Sequence, residues 1–167
     1  RNQGAPIFVL GMAYKRGRGM VTDLYLVRDP TEEKEALLRF REQAQKHRKL
    51  VSFNGATFDE GFLRERFIAN LIPYDLKLES IDLYPAFRHF AQRHHFPRAT
   101  LQTYEGTQLG FRRHDDVPGS KIPQIYRDFM YGRDDTLIPA VLRHNELDLI
   151  TMTLMYEQFC GKDRKRA

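Results

Sequence analysis

The chain has 167 residues, of which 41% are hydrophobic and 29% are charged, and its formal net charge is +5. These proportions exclude a disordered chain and allow one core, so we predict a single domain over residues 1–161 and a basic tail at 162–167. No apolar run could span a bilayer and no signal-peptide pattern opens the chain, which predicts a soluble cytoplasmic protein without a membrane partner. The single cysteine, Cys160, fits a reducing compartment and a packing role. The basic balance favours a polyanionic partner such as nucleic acid.

A β-hairpin opens the predicted fold. Residues Ile7 to Tyr14 are almost all apolar and precede a Gly-Arg-Gly turn, while Met20 to Arg28 alternate between apolar and polar side chains. The first strand is therefore expected to be buried on both faces. Asp29 and Pro30 then supply a stop and a cap for a helix that reaches about Lys49 and covers the sheet.

Strands and helices alternate in the middle of the chain. The pattern predicts strands at Leu50 to Phe53 and Lys77 to Asp82, and helices at Phe58 to Leu71 and Leu83 to His94. This order is typical of parallel α/β sheets. We therefore predict an α/β fold in which a mixed sheet, made of an antiparallel hairpin and parallel strands, is flanked by helices.

The last third of the chain is predicted to be helical. A short helical segment runs from Leu101 to Leu109, a loop from Phe111 to Gly119, a helix to Tyr131 and a long helix from about Thr136. One stripe of the long helix comprises Leu137, Val141, His144, Asp148, Thr151, Met155 and Phe159. This stripe is expected to face the core.

Two carboxylates occupy positions where the pattern predicts apolar surroundings. Asp59 opens a helix after a strand and the Asn54-Gly55 turn, where open α/β sheets bind ligands. Asp148 lies on the apolar stripe of the long helix. Because a charge on an apolar face is costly unless a positive group meets it, the two carboxylates suggest a shared divalent cation. Alternatively, Asp59 caps its helix and Asn54 only forms the turn.

The histidine four residues before Asp148 has two interpretations. As a functional group, His144 would orient or deprotonate an attacking water. Alternatively, it is a buried histidine that is satisfied by its helix neighbour Asp148. Asp82, Asp115 and Asp116 are candidate accessory carboxylates. Alternatively, Asp82 caps a helix, and Asp115 and Asp116 form a loop.

These segments together resemble the ribonuclease H-like DEDD exonuclease superfamily, in particular its branch of YprB-like exonucleases. Leu50 to Asp59 is similar to the second exonuclease motif of that superfamily. The segments similar to the C-terminal signature of the branch are Leu101 to Phe111, Arg113, Asp115 to Gly119, Pro123, Tyr126 and Leu142 to Asp148. The resemblance covers roughly two-thirds of the chain.

The resemblance implies a metal-dependent 3′ to 5′ exonuclease that acts on an end of single-stranded DNA or RNA. Asp59 and Asp148 would bind metal, with two Mg²⁺ or Mn²⁺ ions in an intact site, and His144 would take the place of the Tyr in a Tyr-x-x-x-Asp motif. The expected substrate-binding residues are Asn54, Arg112, Arg113, Lys121 and Tyr126.

The chain departs from this family pattern at its start. Such relatives begin with a strand that carries Asp-x-Glu, whereas no Asp or Glu precedes Asp23 here. Three explanations are open: the chain is a fragment, another molecule supplies the strand, or catalysis has been lost. The fragment is favoured, because the loss of a central strand leaves backbone groups unpaired. The alternative functions are a catalytically inactive nucleic-acid-binding module of the same fold and a partner-binding domain.

Overall fold

The structure is a computed structural model that describes residues 6–55 and 59–161, without the side chain of Asp59. The strands are β1 (Val9–Arg16), β2 (Gly19–Leu26), β3 (Lys49–Ser52) and β4 (Glu79–Asp82). The α-helices are α1 (Glu33–Ala44), α2 (Asp59–Ala69), α3 (Tyr84–Arg93), α4 (Leu101–Tyr104), α5 (Ile122–Met130) and α6 (Ile138–Cys160). Two 3-10 turns (Pro30–Glu32 and Gly119–Lys121) and a π-helical turn (Glu105–Leu109) link them. The predicted basic tail, 162–167, lies outside the described residues.

The first two strands form the predicted antiparallel hairpin. They pair in register from Val9 opposite Leu26 to Arg16 opposite Gly19. Gly17 has a φ of +62° in the connecting turn, a conformation that glycine adopts without steric strain. The expectation that the first strand is buried on both faces is wrong. Strand β1 is only half-buried and its last two residues are exposed, because it has a strand neighbour on one side alone among the described residues.

The two central strands form the predicted parallel pair. Residues Lys49 to Ser52 of β3 lie opposite Glu79 to Asp82 of β4, and α2 provides the crossover between them. The hairpin and the parallel pair are separate two-stranded sheets in the part of the chain that the structure describes. Helix α6 contacts β1, β2 and β3, so it joins the two sheets.

The core is divided among three clusters of apolar side chains. Phe40 and Phe67 bring α1 and α2 together, and Phe87, Tyr104 and Met155 join α3, α4 and α6. The third cluster comprises Val117, Ile125, Ile138 and Val141. The predicted stripe of α6 therefore packs against the core, although Leu137, just before the helix, is 44% exposed.

Two helix boundaries differ from the predicted ones. Helix α1 ends at Ala44 instead of near Lys49, because Lys49 already pairs with Glu79 in the parallel sheet. Helix α6 begins at Ile138 with Pro139 in its first turn, where no backbone donor is lost from the helix. No helix in the described ranges combines the length and the apolar character that crossing a membrane requires.

A buried carboxylate connects α1 to α2 and to the segment before β1. The Oε1 atom of Glu33 accepts hydrogen bonds from the backbone nitrogen of Ile7 (2.8 Å) and from Nε of Arg66 (2.7 Å). Its Oε2 atom accepts from Nη2 of Arg66 (2.6 Å) and from Nδ2 of Asn70 (2.8 Å). Burial opposes ionisation of Glu33, but these hydrogen bonds outweigh it and lower the pKa of the carboxyl group.

Candidate functional site

The guanidinium group of Arg113 is the centre of a buried polar cluster. Its side chain is only 3% exposed, and it donates to both carboxylate oxygens of Glu105, from Nη2 (2.5 Å) and from Nε (2.8 Å). The same Nη2 atom lies 2.6 Å from Oδ1 of Asp148, and Nη1 lies 3.3 Å from Oδ2 of Asp116. Three carboxylates thus share one guanidinium, which leaves the cluster with an excess of negative charge. We call these residues, together with His144, the Arg113 cluster.

Glu105 is the member of the Arg113 cluster that the sequence analysis missed. It opens the π-helical turn after α4, is 1% exposed, and also accepts a hydrogen bond from Oγ1 of Thr151 on α6 (2.6 Å). A signal for it does exist in the sequence. Leu101, Glu105 and Leu109 are spaced four apart, so a carboxylate falls on the apolar side of the predicted helical segment. The same criterion singled out Asp148.

His144 is held by the carboxylate of Asp116 instead of by its own helix neighbour. Its Nδ1 atom lies 2.8 Å from Oδ1 of Asp116, whereas its Nε2 atom lies 3.5 Å from Oδ2 of Asp148. Because an ionised carboxylate only accepts hydrogen bonds, Nδ1 must carry the proton in this contact. Nη1 of Arg113 lies 3.4 Å from the same Nδ1 atom. Because both atoms then carry protons, this contact is a close approach of two donors. Nε2 is left as the basic nitrogen, facing Asp148.

The contacts within the Arg113 cluster shift the pKa values of Asp116 and Arg113. Burial opposes ionisation of Asp116, but the hydrogen bond from His144 and the charge of Arg113 outweigh it, so the pKa of this carboxyl group is lowered. Burial also disfavours the charged form of Arg113, yet the hydrogen bonds with Glu105 and Asp148 outweigh it and raise its pKa above the ordinary value for arginine. Asp116 and Arg113 are therefore both ionised near neutral pH.

The Arg113 cluster lies between two surface pockets. His144, Asn145 and Asp148 line one of them together with Phe8 and Phe62. The other pocket is lined by Gln102, Thr103, Glu105, Gly106, Thr107, Arg112, Arg113 and Asp116. Asp148, whose side chain is 31% exposed, is the most accessible carboxylate of the cluster. The cluster therefore presents Asp148 and His144 to solvent and keeps Glu105 and Arg113 behind them.

The pocket beside Asp148 adjoins the first turn of α2. Phe62 lines this pocket and lies three residues after Asp59, the first residue of the helix. The side chain of Asp59 is outside the described residues. Its predicted convergence with Asp148 therefore remains a prediction, and the position of Phe62 is compatible with it.

Asn54 and Asp82 meet at the carboxyl ends of β3 and β4. Asp82 Oδ1 accepts hydrogen bonds from the backbone nitrogens of Asn54 (2.8 Å) and Tyr84 (2.9 Å). The contact with Tyr84, the first residue of α3, corresponds to the alternative in which Asp82 caps the helix. Asn54 has a φ of +61°, which corresponds to the turn-forming alternative. Their predicted roles in binding substrate and metal remain predictions.

The other predicted site residues are spread around the two pockets. Arg112 and Lys121 are exposed, and Asp115 is exposed with a φ of +55°, typical of a loop former. The ring of Tyr126 stacks on Phe8 with a centroid distance of 4.4 Å. The hydroxyl group of Tyr126 is buried without a hydrogen-bond partner among the described residues, and burial raises its pKa.

The donor chemistry at Asp148 fits a divalent cation. Hard cations prefer carboxylate oxygens, and the excess negative charge of the Arg113 cluster attracts a positive ion. Arg113 holds Oδ1 of Asp148, so Oδ2 is the atom that faces His144. Within residues 6–55 and 60–161, however, no three His, Cys, Asp or Glu side chains are arranged to hold a metal ion. Asp59, whose side chain lies outside these residues, is the other predicted ligand.

Comparison with known proteins assigns the chain to a family. A family model of the RNase H superfamily matches residues 1–160, so the chain belongs to the RNase H superfamily. The chain is also similar to a protein of Bacillus subtilis (strain 168) named "Uncharacterized protein YprB". The two are 29% identical over 161 residues, which cover 92% of this chain and 37% of the relative. No solved structure matches the chain.

Membership in this superfamily indicates a nuclease, a hydrolase whose substrate is nucleic acid. RNase H-like nucleases typically use divalent metal ions. Since the chain spans little more than a third of the length of its curated relative, it corresponds to one part of that protein.

Proposed function

We propose that this chain is a metal-dependent 3′ to 5′ exonuclease domain that hydrolyses phosphodiester bonds at an end of single-stranded DNA or RNA. One observation carries the proposal. Asp148 and His144 line a single pocket, while Arg113 holds Asp148 and Asp116 holds His144. A carboxylate and a base that share an open pocket within an acidic cluster suit phosphodiester hydrolysis.

Each member of the Arg113 cluster has a distinct part in the proposed reaction. Oδ2 of Asp148 would hold a divalent ion, with Asp59 reaching the same ion from the first turn of α2. When bound, such an ion lowers the pKa of a coordinated water and polarises the scissile phosphate. His144 accepts a proton from the attacking water at Nε2. Asp116 keeps the Nδ1 proton in place and stabilises the imidazolium that forms.

Arg113 has a positioning role in this proposal. The predicted contact between Arg113 and substrate phosphate fits the structure poorly, because its guanidinium is 3% exposed and already shared by three carboxylates. Arg112, which lines one pocket, and Lys121, which precedes Ile122 of the other pocket, are exposed and remain available for phosphate. Their contacts would draw in a substrate strand with an affinity that falls as salt rises.

A catalytically inactive nucleic-acid-binding module is the second candidate function. It is favoured by the lack of three suitably arranged metal ligands among residues 6–55 and 60–161. If Asp59 and any further acidic ligand did not reach Asp148, the acidic cluster would remain a structural ion-pair network. The two functions share a fold and a substrate class and differ only in turnover.

The end specificity and the metal requirement can be tested together. Single-stranded DNA and RNA oligonucleotides labelled at the 5′ or the 3′ end are incubated with Mn²⁺, Mg²⁺ or EDTA, both with this chain and with the whole protein encoded by its gene. The proposal predicts a ladder of shortened 5′-labelled products and immediate release of the 3′-terminal label as a mononucleotide. EDTA should stop both reactions. Binding without cleavage in either protein would favour the inactive module, and internal cuts would contradict the exonuclease.

A further inference from the structure

One stretch of the chain carries positive charge without any acidic residue. Residues 83–104 contain no Asp, Glu or Lys. Their ionisable cationic side chains are Arg88, His89, Arg93, His94, His95 and Arg98, which we call the α3 surface because they lie on α3 and in the five residues that follow it. All six residues are exposed. This stretch is therefore an electropositive surface outside the Arg113 cluster.

The arginines of the α3 surface have no ion-pair partner among the described residues. No carboxylate among the described residues pairs with Arg88, Arg93 or Arg98. The surface ion pairs found elsewhere include Lys15 with Glu157, Arg28 with Glu32, Arg39 with Glu35, Lys46 with Glu42 and Lys49 with Glu79. The three arginines are thus left for an external anion.

The α3 surface rests on a defined scaffold. Helix α3 ends in a Schellman motif. The backbone nitrogen of His95 donates to the carbonyl oxygen of Gln92 (3.2 Å), and the backbone nitrogen of Phe96 donates to the carbonyl oxygen of Ala91 (2.9 Å). The ring of His94 packs on Phe90 with a centroid distance of 4.2 Å, and Phe90 packs on Phe159 of α6 at 5.5 Å. Little backbone ordering would therefore oppose binding at this turn.

His95 stands at the position of this cap that usually belongs to glycine. Its φ is +56°, a left-handed conformation that residues other than glycine and asparagine rarely adopt. Glycine would be the less strained choice for the turn alone. An imidazole at this position is consistent with a role of the side chain at the surface.

We propose that the α3 surface binds the phosphate backbone of a nucleic-acid strand, as a second contact region beside the Arg113 cluster. The choice of nucleic acid as the occupant rests on the proposed function, whereas the anion-binding character rests on the charge and exposure of the surface. Arginine suits phosphate because its planar group donates two parallel hydrogen bonds. Helix α3 begins two residues after Asp82, the carboxyl end of β4, so a bound strand would continue from that edge of the sheet along the helix.

The test compares two triple variants that lose the same charge. The α3 variant is Arg88→Ala, Arg93→Ala, Arg98→Ala, and the control is Lys34→Ala, Arg48→Ala, Lys77→Ala, which removes three other exposed cations without ion pairs among the described residues. Fluorescence anisotropy with a labelled single-stranded oligonucleotide in EDTA measures binding over a range of NaCl concentrations. Far-UV circular dichroism and the midpoint of urea unfolding check that both variants fold.

The α3 variant should bind about 10- to 100-fold more weakly at low salt, and the slope of log K against log salt should fall by about 2, the value for three phosphate contacts on a single strand. At about 0.15 M salt the control should stay within about threefold of the parent, since charges more than about 8 Å from the bound strand are then largely screened. The conservative variant Arg88→Lys, Arg93→Lys, Arg98→Lys keeps the charge and should retain the slope. If the α3 variant were poorly folded, this lysine variant and the single Arg93→Ala variant would carry the test.

Three results would overturn the inference: equal losses in the α3 variant and the control, unchanged binding in the α3 variant, or charge-dependent binding only to phosphatidylserine vesicles, which would indicate a membrane surface. The outcome is separable from that of the proposed function. Binding through the α3 surface without cleavage in Mn²⁺ would leave the inference standing and the exonuclease refuted. Cleavage with the same KM in the α3 variant and the control would do the reverse.

Discussion

Arg113 and Asp148 form a contact that gives the two oxygens of one carboxylate different surroundings. Oδ1 of Asp148 lies 2.6 Å from Nη2 of Arg113, whereas Oδ2 lies 3.5 Å from Nε2 of His144 at the pocket. The guanidinium is itself fixed by Glu105, which is 1% exposed. The carboxylate is therefore oriented from within the protein, and its outer oxygen is left for chemistry at the surface.

Removal of the central cation should destabilise the fold strongly. Arg113→Met leaves the buried carboxylate of Glu105 without its cation, which we expect to lower the free energy of unfolding by about 3–5 kcal/mol in urea denaturation. The matched control is Arg133→Met, because the side chain of Arg133 is 67% exposed and its contact with Asp128 is long, at 3.7 Å. This control variant should change stability little. The double variant Glu105→Gln, Arg113→Met should recover part of the loss. Equal stability of both single variants would contradict the role assigned to Arg113.

Two tyrosine hydroxyl groups should respond in opposite ways to removal. The hydroxyl of Tyr126 is buried without a described partner, so Tyr126→Phe should leave stability unchanged or raise it. The hydroxyl of Tyr104 donates to Oε1 of Gln158 at 2.5 Å, so Tyr104→Phe should lower the free energy of unfolding by about 0.5–1.5 kcal/mol. Urea denaturation of both variants makes the comparison. A larger loss for Tyr126→Phe would show that its hydroxyl has a partner after all.

The carboxylate of Glu33 should make the fold sensitive to acid. Its pKa is lower in the folded state than in the unfolded chain, so the unfolded state binds more protons between the two values. The stabilisation is therefore present above about pH 4.3, the ordinary value for Glu, and is lost as the pH falls through the folded pKa. The free energy of unfolding, measured from pH 6 to pH 3, should fall less steeply for Glu33→Gln than for the parent. The control Glu35→Gln removes an exposed carboxylate of the same helix and should keep the parent slope.

The proposed base should be sensitive to the group behind it. His144→Gln should lower kcat by about 10²- to 10⁴-fold and remove the limb of the pH–rate profile that reports the base. Asp116→Asn should also lower kcat, because an amide can donate to Nδ1 and so favours the wrong tautomer. KM should change little in both variants. A rise in KM at constant kcat would instead make His144 a substrate-binding residue.

The order and type of the elements could be predicted, because each follows from a local pattern. The alternation of Met20 to Arg28 and the stripe of α6 are examples, and both elements are present. Boundaries and burial depended on long-range partners. Lys49 joins β3 because Glu79 lies opposite it, and β1 is half-exposed because it pairs only with β2 among the described residues.

The candidate site was predictable only where a single element defines it. His144 and Asp148 share a helix face, so their proximity follows from their spacing of four residues. The partners of both come from a loop and a π-helical turn, whose conformations no periodicity encodes. For that reason the spacing pointed to Asp148 as the partner of His144, whereas Asp116 is the nearer one, and it gave no hint that Arg113 turns inward.

The most direct test of the account is a comparison of two aspartate substitutions in the Mn²⁺-dependent release of mononucleotides from a 3′-labelled strand. Asp148→Asn keeps a hydrogen-bond acceptor for Arg113 and should fold normally, but it should abolish release. Asp75→Asn removes a half-exposed carboxylate that lines neither pocket and should release mononucleotides at a rate close to that of the parent. Parental rates in a folded Asp148→Asn protein, or equal losses in both variants, would contradict the assignment of the active site to Asp148.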